Sequence, residues 1–263
     1  MANATNNRDK RPTASETSRP EDAPAYTKSK QTAAVRLGKK LRDPVNGFLA
    51  GQSLVGDQPI IDPALVPGLC EVAPRWREFR EEIQPLMHER ESIPPLGKIS
   101  PDHRRIASTP AWKSFFFRGY GYESLANQGR CPKLTKAIDS IPGVVVGFLS
   151  IMEPGTHVPL HRGLTKSWLN CHLPLMLPDD GKRCEIAVDG KIQQWRYGEW
   201  LVFDETYPHE VWNESDQPRV MLLLQVQRQM RWLGRMVTRG IYHGVRNSSF
   251  VNDVKAAIGA SKR

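Results

Sequence analysis

A mainly β fold, a sandwich or barrel with helices flanking it, is what the sequence predicts, on three observations. Between Val144 and Gln227 short apolar runs recur, at the spacing of all-β domains. Turn residues part them: EPGT at 153–156, PDDGKR at 178–183 and RYGE at 196–199. Before Val144 and after Gln229 the apolar spacing becomes helical.

Taken in order, residues 1–35 are rich in Ser, Thr, Asn, Pro and charge. They bury too little apolar surface to offset their ordering entropy, and a disordered tail is expected. Residues 36–143 read as a helical and loop part packed on the core. Within it the stretch from Val45 to Pro67 is punctuated by Pro and Gly and is expected to be loop-rich. In PRWREFREEIQPLMHER, Trp76, Phe79, Ile83 and Met87 recur at helical intervals, predicting an amphipathic helix. KSFFFRGYGY, 113–122, reads as buried strand aromatics, with a substrate-groove lining as the alternative. A short helix is expected over Pro132 to Ser140, ended by the Pro142-Gly143 turn.

The strands of the core, 144–229, are VVVGFLSIM, HVPLH, WLNCHLPLML, CEIAVDGKIQQW, WLVF, HEVWN and RVMLLLQVQ. Gly155 and Gly198 supply the positive φ that their turns require. Trp195 and Trp212 read as core residues. Residues 230–263 form a basic C-terminal helical extension, with Arg231, Arg235 and Arg239 four apart and Leu233, Met236 and Val237 turned away from them. The apolar side is expected against the sandwich and the Arg stripe in water. Contact of Met230–Arg246 with an anionic membrane is the other reading.

The 263 residues suffice for one sizeable domain with a tail. No apolar run approaches the roughly 20 residues that cross a bilayer, and the N-terminus lacks the apolar stretch of a signal peptide. A cytoplasmic location is expected, with peripheral membrane association the alternative. Cys70, Cys131, Cys171 and Cys184 form no CxxC pair, which argues against a zinc site or a disulfide framework. The formal net charge of +9 is uneven: Lys28 to Arg42 holds six basic residues, Gln217 to Asn252 six Arg, and neither holds an acid. Such runs suit nucleic acid, a phospholipid surface or an acidic substrate, or are merely solvated faces.

Three histidine-bearing segments stand out: PGTHVPLHRG with His157 and His161, CHLPL with His172, and FDETYPHEVWN with His209, followed by Arg219 ten residues on. Neutral imidazole is the commonest side-chain metal ligand. A non-haem Fe(II) oxygenase needs few protein ligands, leaving positions for cosubstrate and oxygen. An Arg nearby can pair bidentately with a carboxylate. Singly, each His is more often structural than a ligand.

The run SIMEPGTHVPLHRG, then HLPLMLP, then GEWLVFDETYPHEVWN and Arg219 resembles the aspartyl/asparaginyl β-hydroxylase family. With SPDHRRIASTPAWKSFFFRGYGYE and the basic C-terminal helix, the resemblance extends from about Pro101 to Val254, toward bacterial members similar to lipid A fatty-acyl hydroxylases. It implies a double-stranded β-helix (jelly roll, cupin-like) core, and hydroxylation of an unactivated C–H bond with Fe(II), 2-oxoglutarate and O2. By that resemblance His161 and His209 are the iron ligands, and Gly163 stands where related folds carry the third, acidic one. Arg219, helped by Ser150, would pair with the distal carboxylate of 2-oxoglutarate; His172 would bond its metal-proximal carboxylate; Met152 would form the pocket wall. Asp204 and Glu205 are assigned to turn geometry, and His157 to a structural place at its strand's start or to the site's flank.

One departure bears on substrate: the family has Arg where this chain has Asn170. That weakens the expectation of an acidic, aspartyl-type substrate, unless Arg162 or Lys166 restores the charge. The substrate expected is an Asp/Asn-type group or another small molecule or peptide, with a lipid A or fatty-acyl chain at a membrane surface as the alternative. The membrane-spanning N-terminal segment of lipid A hydroxylases is missing from this reading of the chain. A basic β-sandwich binding module is the non-enzyme alternative. Nucleic acid is not the expected partner, since His161, His209, Arg219 and Ser150 all match family positions.

Overall fold

A computed structural model describes residues 33–99, 106–107, 109–248, 251, 255 and 261–262, with side chains for those between Leu41 and Lys255. Contacts divide the chain after Lys40. Of the first unit only the opening turns of helix α1 (Ala33–Gln52) are described; the rest of the expected tail lies outside the described residues. All that follows concerns the second unit.

Its helices are the rest of α1, α2 (Leu69–Val72), α3 (Trp76–His88), α4 (Leu96–Ile99), α5 (Leu125–Arg130), α6 (Pro132–Ser140) and α7 (Trp232–Arg246). Its strands are β1 (Ile60–Ile61), β2 (Trp112–Gly119), β3 (Tyr122–Glu123), β4 (Val144–Met152), β5 (Thr156–His161), β6 (Trp168–Met176), β7 (Cys184–Val188), β8 (Lys191–Gln193), β9 (Leu201–Phe203), β10 (His209–Asn213), β11 (Arg219–Gln227) and β12 (Ser261–Lys262). One sheet runs β1-β9-β6-β11-β4-β2-β3-β12 and the other β5-β10-β7-β8. Every pairing is antiparallel. From β4 to β11, successive strands alternate between the sheets except at the β7–β8 hairpin, which is the winding of a double-stranded β-helix.

Period-two patterning explains how the large sheet is covered. On β11, Val220, Leu222, Leu224 and Val226 point outward and meet Leu169 and Leu173 of β6, Phe79 and Ile83 of α3, and Leu134 and Ile138 of α6 in one buried cluster. The alternate residue Met221 points inward and joins Met152, Val158, Ile186, Val188, Trp195 and Val211 between the sheets. Burying each such side chain contributes about 1.5–3 kcal/mol. Past the edge of the small sheet, Phe116, Val146, Phe148, Trp168 and Leu223 continue the inner face beneath Ile241, Tyr242 and Val245 of α7.

The expected strands and the helices at Trp76 and Pro132 all form. Gly143, Gly155 and Gly198 have φ of +77°, +70° and +78°. The 113–122 aromatics lie in β2, β3 and the turn joining them, so the sheet reaches beyond 144–229 into the stretch read as helix and loop. Three expectations are corrected. Val45 to Gln52 is helical, although Pro44 lies inside α1: its end is pinned to the chain before α7 by Leu54 N–H to Gln229 O at 2.8 Å and Arg231 N–H to Gln52 O at 2.9 Å. Trp212 is only half-buried, lying between the Arg183 guanidinium, 3.6 Å from its ring centre, and the stacked ring of His157. The apolar side chains at the start of α7 do not pack on the sandwich. Instead Gly234 lies against Gln52 and Met230 and Thr238 against Ser167 and Met230, leaving Trp232 62%, Leu233 41% and Met236 60% exposed.

Candidate active site

The site lies between the sheets at the end where β5 closes and β10 begins. His161 and His209 are register partners across those strands, with ring centres 4.0 Å apart. His161 Nδ1 lies 2.8 Å from Pro159 O and His209 Nδ1 3.0 Å from Tyr207 O. A carbonyl can only accept, so each Nδ1 carries a proton, and in a neutral ring the lone pair is then on Nε2. Burial, and then the neighbouring His161, pushes the His209 pKa down to about 4. Near neutrality its ring is therefore uncharged, the form that binds metals.

A buried ion cluster holds the turn that delivers His209. Asp204 accepts through Oδ1 from Thr206 N–H at 2.9 Å and its hydroxyl at 2.7 Å, the turn geometry expected of it. Its Oδ2 receives Lys166 Nζ at 2.8 Å and the Arg228 guanidinium. Lys166 also bonds Asp57, so it is not available to replace the missing Arg at Asn170. Arg162 stands exposed on the loop. His157 bonds Glu210 at 2.6 Å on the outer side of the small sheet, a structural place away from the site.

Glu205 does not serve the turn. It is 8% exposed, accepts from Gln225 Nε2 at 2.9 Å and also from Asn170. Burial, then the adjacent Asp204 charge, raises its pKa to about 7. Its side chain fills the space beside Gly163: a Cβ there would overlap the Glu205 Cγ and Cδ. An acid at 163 therefore has no room while Glu205 is in place. Among the described residues no group of three or more His, Cys, Asp or Glu is arranged to hold a metal. The imidazoles come as a pair.

From His209 the inner face continues inward. Phe203 stands edge-on to both His209 and His172, with centres 5.2 and 5.1 Å away. His172 stacks on Trp195 at 6.1 Å, and the Arg219 guanidinium lies 4.8 Å from the Trp195 ring centre. Arg219 is 2% exposed. Its Nη2 bonds Ser150 Oγ at 3.2 Å, while Nε and Nη1 have no hydrogen-bond partner among the described residues. Burial lowers its pKa to about 10, which leaves it charged. Neither ring nitrogen of His172 has a hydrogen-bond partner among the described residues; burial, and then Arg219, pushes its pKa well down. Ser150 Oγ also accepts from Trp112 Nε1 at 2.9 Å, so its own proton remains available to a further acceptor. Met152 pairs with Arg219 in register and is buried in the inter-sheet core.

The structure thus gathers candidate residues of five strands between the two sheets: Ser150 and Met152 of β4, His172 of β6 and Arg219 of β11 from the large sheet, and His161 of β5 and His209 of β10 from the small one. Sequence reasoning missed Glu205, Trp112 and the second role of Trp195. Their types and positions carry no signal for these contacts; only the crossing of strands creates them. A buried cation without a carboxylate is costly, and buried polar atoms are nearly always paired. Orphaned donors on Arg219 and His172, both beside the Trp195 ring, are what an anionic, carboxylate-bearing ligand would satisfy.

A family model described as aspartyl/asparaginyl β-hydroxylase matches residues 73–229. The chain is 33% identical over 183 residues to the ornithine lipid ester-linked acyl 2-hydroxylase of Rhizobium tropici, covering 70% of this chain and 65% of that one. It is 29% identical over 159 residues to the human aspartyl/asparaginyl β-hydroxylase, covering 57% of this chain and 20% of that one. It therefore spans less than two thirds of either relative. A solved oxidoreductase of the 2OG-Fe(II) oxygenase family from Burkholderia pseudomallei aligns at a TM-score of 0.35 and 13% identity, over 45% of this chain and 68% of that one. That likeness is too slight to add to the fold described above.

Proposed function

The chain belongs to the aspartyl/asparaginyl β-hydroxylase family, and from that premise we propose that it is an Fe(II)- and 2-oxoglutarate-dependent hydroxylase of an unactivated C–H bond. The observation that carries the proposal is Arg219, a buried guanidinium with two orphaned donors, in the same space between the sheets as the His161–His209 pair. Two Nε2 lone pairs suit Fe(II), and the guanidinium beside the Ser150 hydroxyl suits the far carboxylate of a five-carbon diacid. The donor set fits both groups. Bound iron and 2-oxoglutarate would together supply the electrons that O2 activation requires, the diacid leaving as succinate and CO2.

The chain's own residues do the rest. His161 and His209 hold the metal; Arg219 and Ser150 orient the diacid; His172, kept neutral, is free to donate to its nearer carboxylate. Phe203, Trp195 and Met152 exclude water, which strengthens each of these polar contacts. The wall formed by Glu205 at Gly163 leaves no room for an acidic side chain there, so His161 and His209 would be the protein's ligands to the metal.

For the substrate, the inner face past His172 favours an acyl chain over an acidic side chain. Asn170 brings no charge to it, and the face beyond is apolar, with Phe116, Val146, Phe148 and Leu223 packed beneath α7. The Rhizobium relative is named for acyl hydroxylation, in agreement with this reading. A membrane lipid would make a bilayer the partner, met through Met230–Arg246. The test is anaerobic loading with Fe(II) and 2-oxoglutarate, then O2, measuring succinate and the oxygen added to acyl lipids or to Asp/Asn peptides by mass spectrometry. His161→Ala and His209→Ala should each abolish succinate formation. Turnover retained by either variant contradicts the ligand assignment, and oxygen added only to peptides contradicts the acyl reading.

A further inference from the structure

A helix lying on a protein ordinarily turns its apolar side inward and a polar side to water. The start of α7 does not. Gly234 and Thr238 face the core, where Gly234 lies so close to Gln52 and Met230 that a Cβ would stand 2.7 Å from Gln52 Cβ and 3.0 Å from Met230 Sδ. The helix is thus clamped on that side, with its inward face filled.

Its outward face carries Trp232, Leu233 and Met236, which are 62%, 41% and 60% exposed, flanked on one side by the exposed Arg231, Arg235 and Arg239, of which Arg231 also bonds Gly51 O at 3.3 Å. No acid pairs with these three Arg among the described residues, and from Gln217 to Asn252 the chain has no Asp or Glu at all. Adjacent to the helix base, Leu54 is 58% exposed and bonded through its N–H to Gln229 O. Keeping large apolar groups in water on a rigid helix is unfavourable unless something covers them.

We propose that this face of α7 docks on an anionic lipid bilayer, with Trp232, Leu233 and Met236 entering the headgroup region and the three Arg meeting lipid phosphates. Trp is suited to that interface because its ring is apolar and its N–H polar, and Arg because its guanidinium pairs with phosphate. Nucleic acid would satisfy the Arg alone and leave Trp232 and Met236 wet. A bilayer satisfies both. The dock also lies by the candidate site: Thr238 Oγ1 of α7 is 3.4 Å from Ser167 Oγ, on the loop that descends from His161 past Leu164. Leu160 and Leu164, on either side of His161, are themselves 63% and 58% exposed, so the rim next to the dock is apolar as well.

The inference does not depend on the hydroxylase reading, and its test uses no iron, cosubstrate or oxygen. The full chain is sedimented with vesicles of equal parts phosphatidylcholine and phosphatidylglycerol, with phosphatidylcholine vesicles alone, and mixed with a DNA duplex. The wild type should pellet with the anionic vesicles and less with neutral ones, with added salt weakening the binding. Trp232→Ser with Met236→Ser should cut partitioning at least about tenfold. Arg235→Glu with Arg239→Glu should cut it more than the about fivefold per charge expected from neutralisation. Thermal unfolding like the wild type's verifies that these surface variants fold. Wild type that stays in the supernatant, binds neutral vesicles equally well, or binds as before with either pair changed overturns the proposal. So does tight binding to the duplex that survives loss of Trp232 and Met236.

Discussion

Arg219 and Glu205 illustrate opposite uses of a buried charge. Arg219 stays ionised and short of partners, so removing it should cost little stability but remove the grip on a dicarboxylate. Arg219→Ala should raise the half-saturating 2-oxoglutarate concentration by about 100-fold, the worth of a paired charge-assisted bond. An unchanged concentration dependence would count against its role. Glu205 instead resists ionisation, with a folded pKa raised from 4.5 to about 7. Between those values the folded protein holds a proton that the unfolded chain gives up. Stability from this group is therefore full below 4.5 and lost as pH rises through about 7, on the order of 3 kcal/mol. Glu205→Gln should flatten that fall in denaturant melts; an identical pH profile would mean the carboxyl ionises freely in the fold. The pair also marks how far the sequence could be read. His161, His209, Arg219 and Ser150 stand in a recognisable order. The Glu205–Gly163 contact joins residues 42 apart in number and leaves no trace in local pattern.

At the level of the element, alternation and turn chemistry made the strands from Val144 onward legible, because a half-buried strand must alternate and a tight turn must take positive φ. Helix α1 was hidden by Pro44, since local propensity opposes it and distant bonds to Gln229 and Arg231 sustain it. Helix α7 was legible as a helix but not in orientation. Hydrophobicity predicts an inward apolar side, whereas close approach to α1 admits only small residues there. Gly234→Val should therefore destabilise by about 1–3 kcal/mol through overpacking, although it improves helix propensity. Gly240→Ala, with nothing within 4 Å of its added Cβ, should stabilise by about 0.5–1 kcal/mol. Urea midpoints of the two variants shifting the same way would mean that packing against Gln52 does not set the helix's position.

For the whole molecule, the helices α3 and α6 on the outer face stiffen the large sheet, and the small sheet closes over its inner face. Ligands that satisfy Arg219, His172 and the imidazole pair bind only this assembled form. Fe(II) with 2-oxoglutarate, kept anaerobic at about 100 times the dissociation constant, should add about 2.7 kcal/mol. For a domain of this size the midpoint of thermal unfolding rises by about 5–10 °C. A midpoint that stays put under those conditions would argue that neither group binds.

The pairing of His161 with His209 in register across β5 and β10 has a consequence for how activity fails. Side chains on neighbouring residues of a strand point to opposite sides, so a slip of one position along that ladder turns an imidazole out to solvent. The β5 edge acts as a vernier: misaligned by a single notch, the molecule keeps its sheets and its hydrophobic layers yet loses its chelate. Gentle heating that loosens this edge should silence the protein while its global fold still stands.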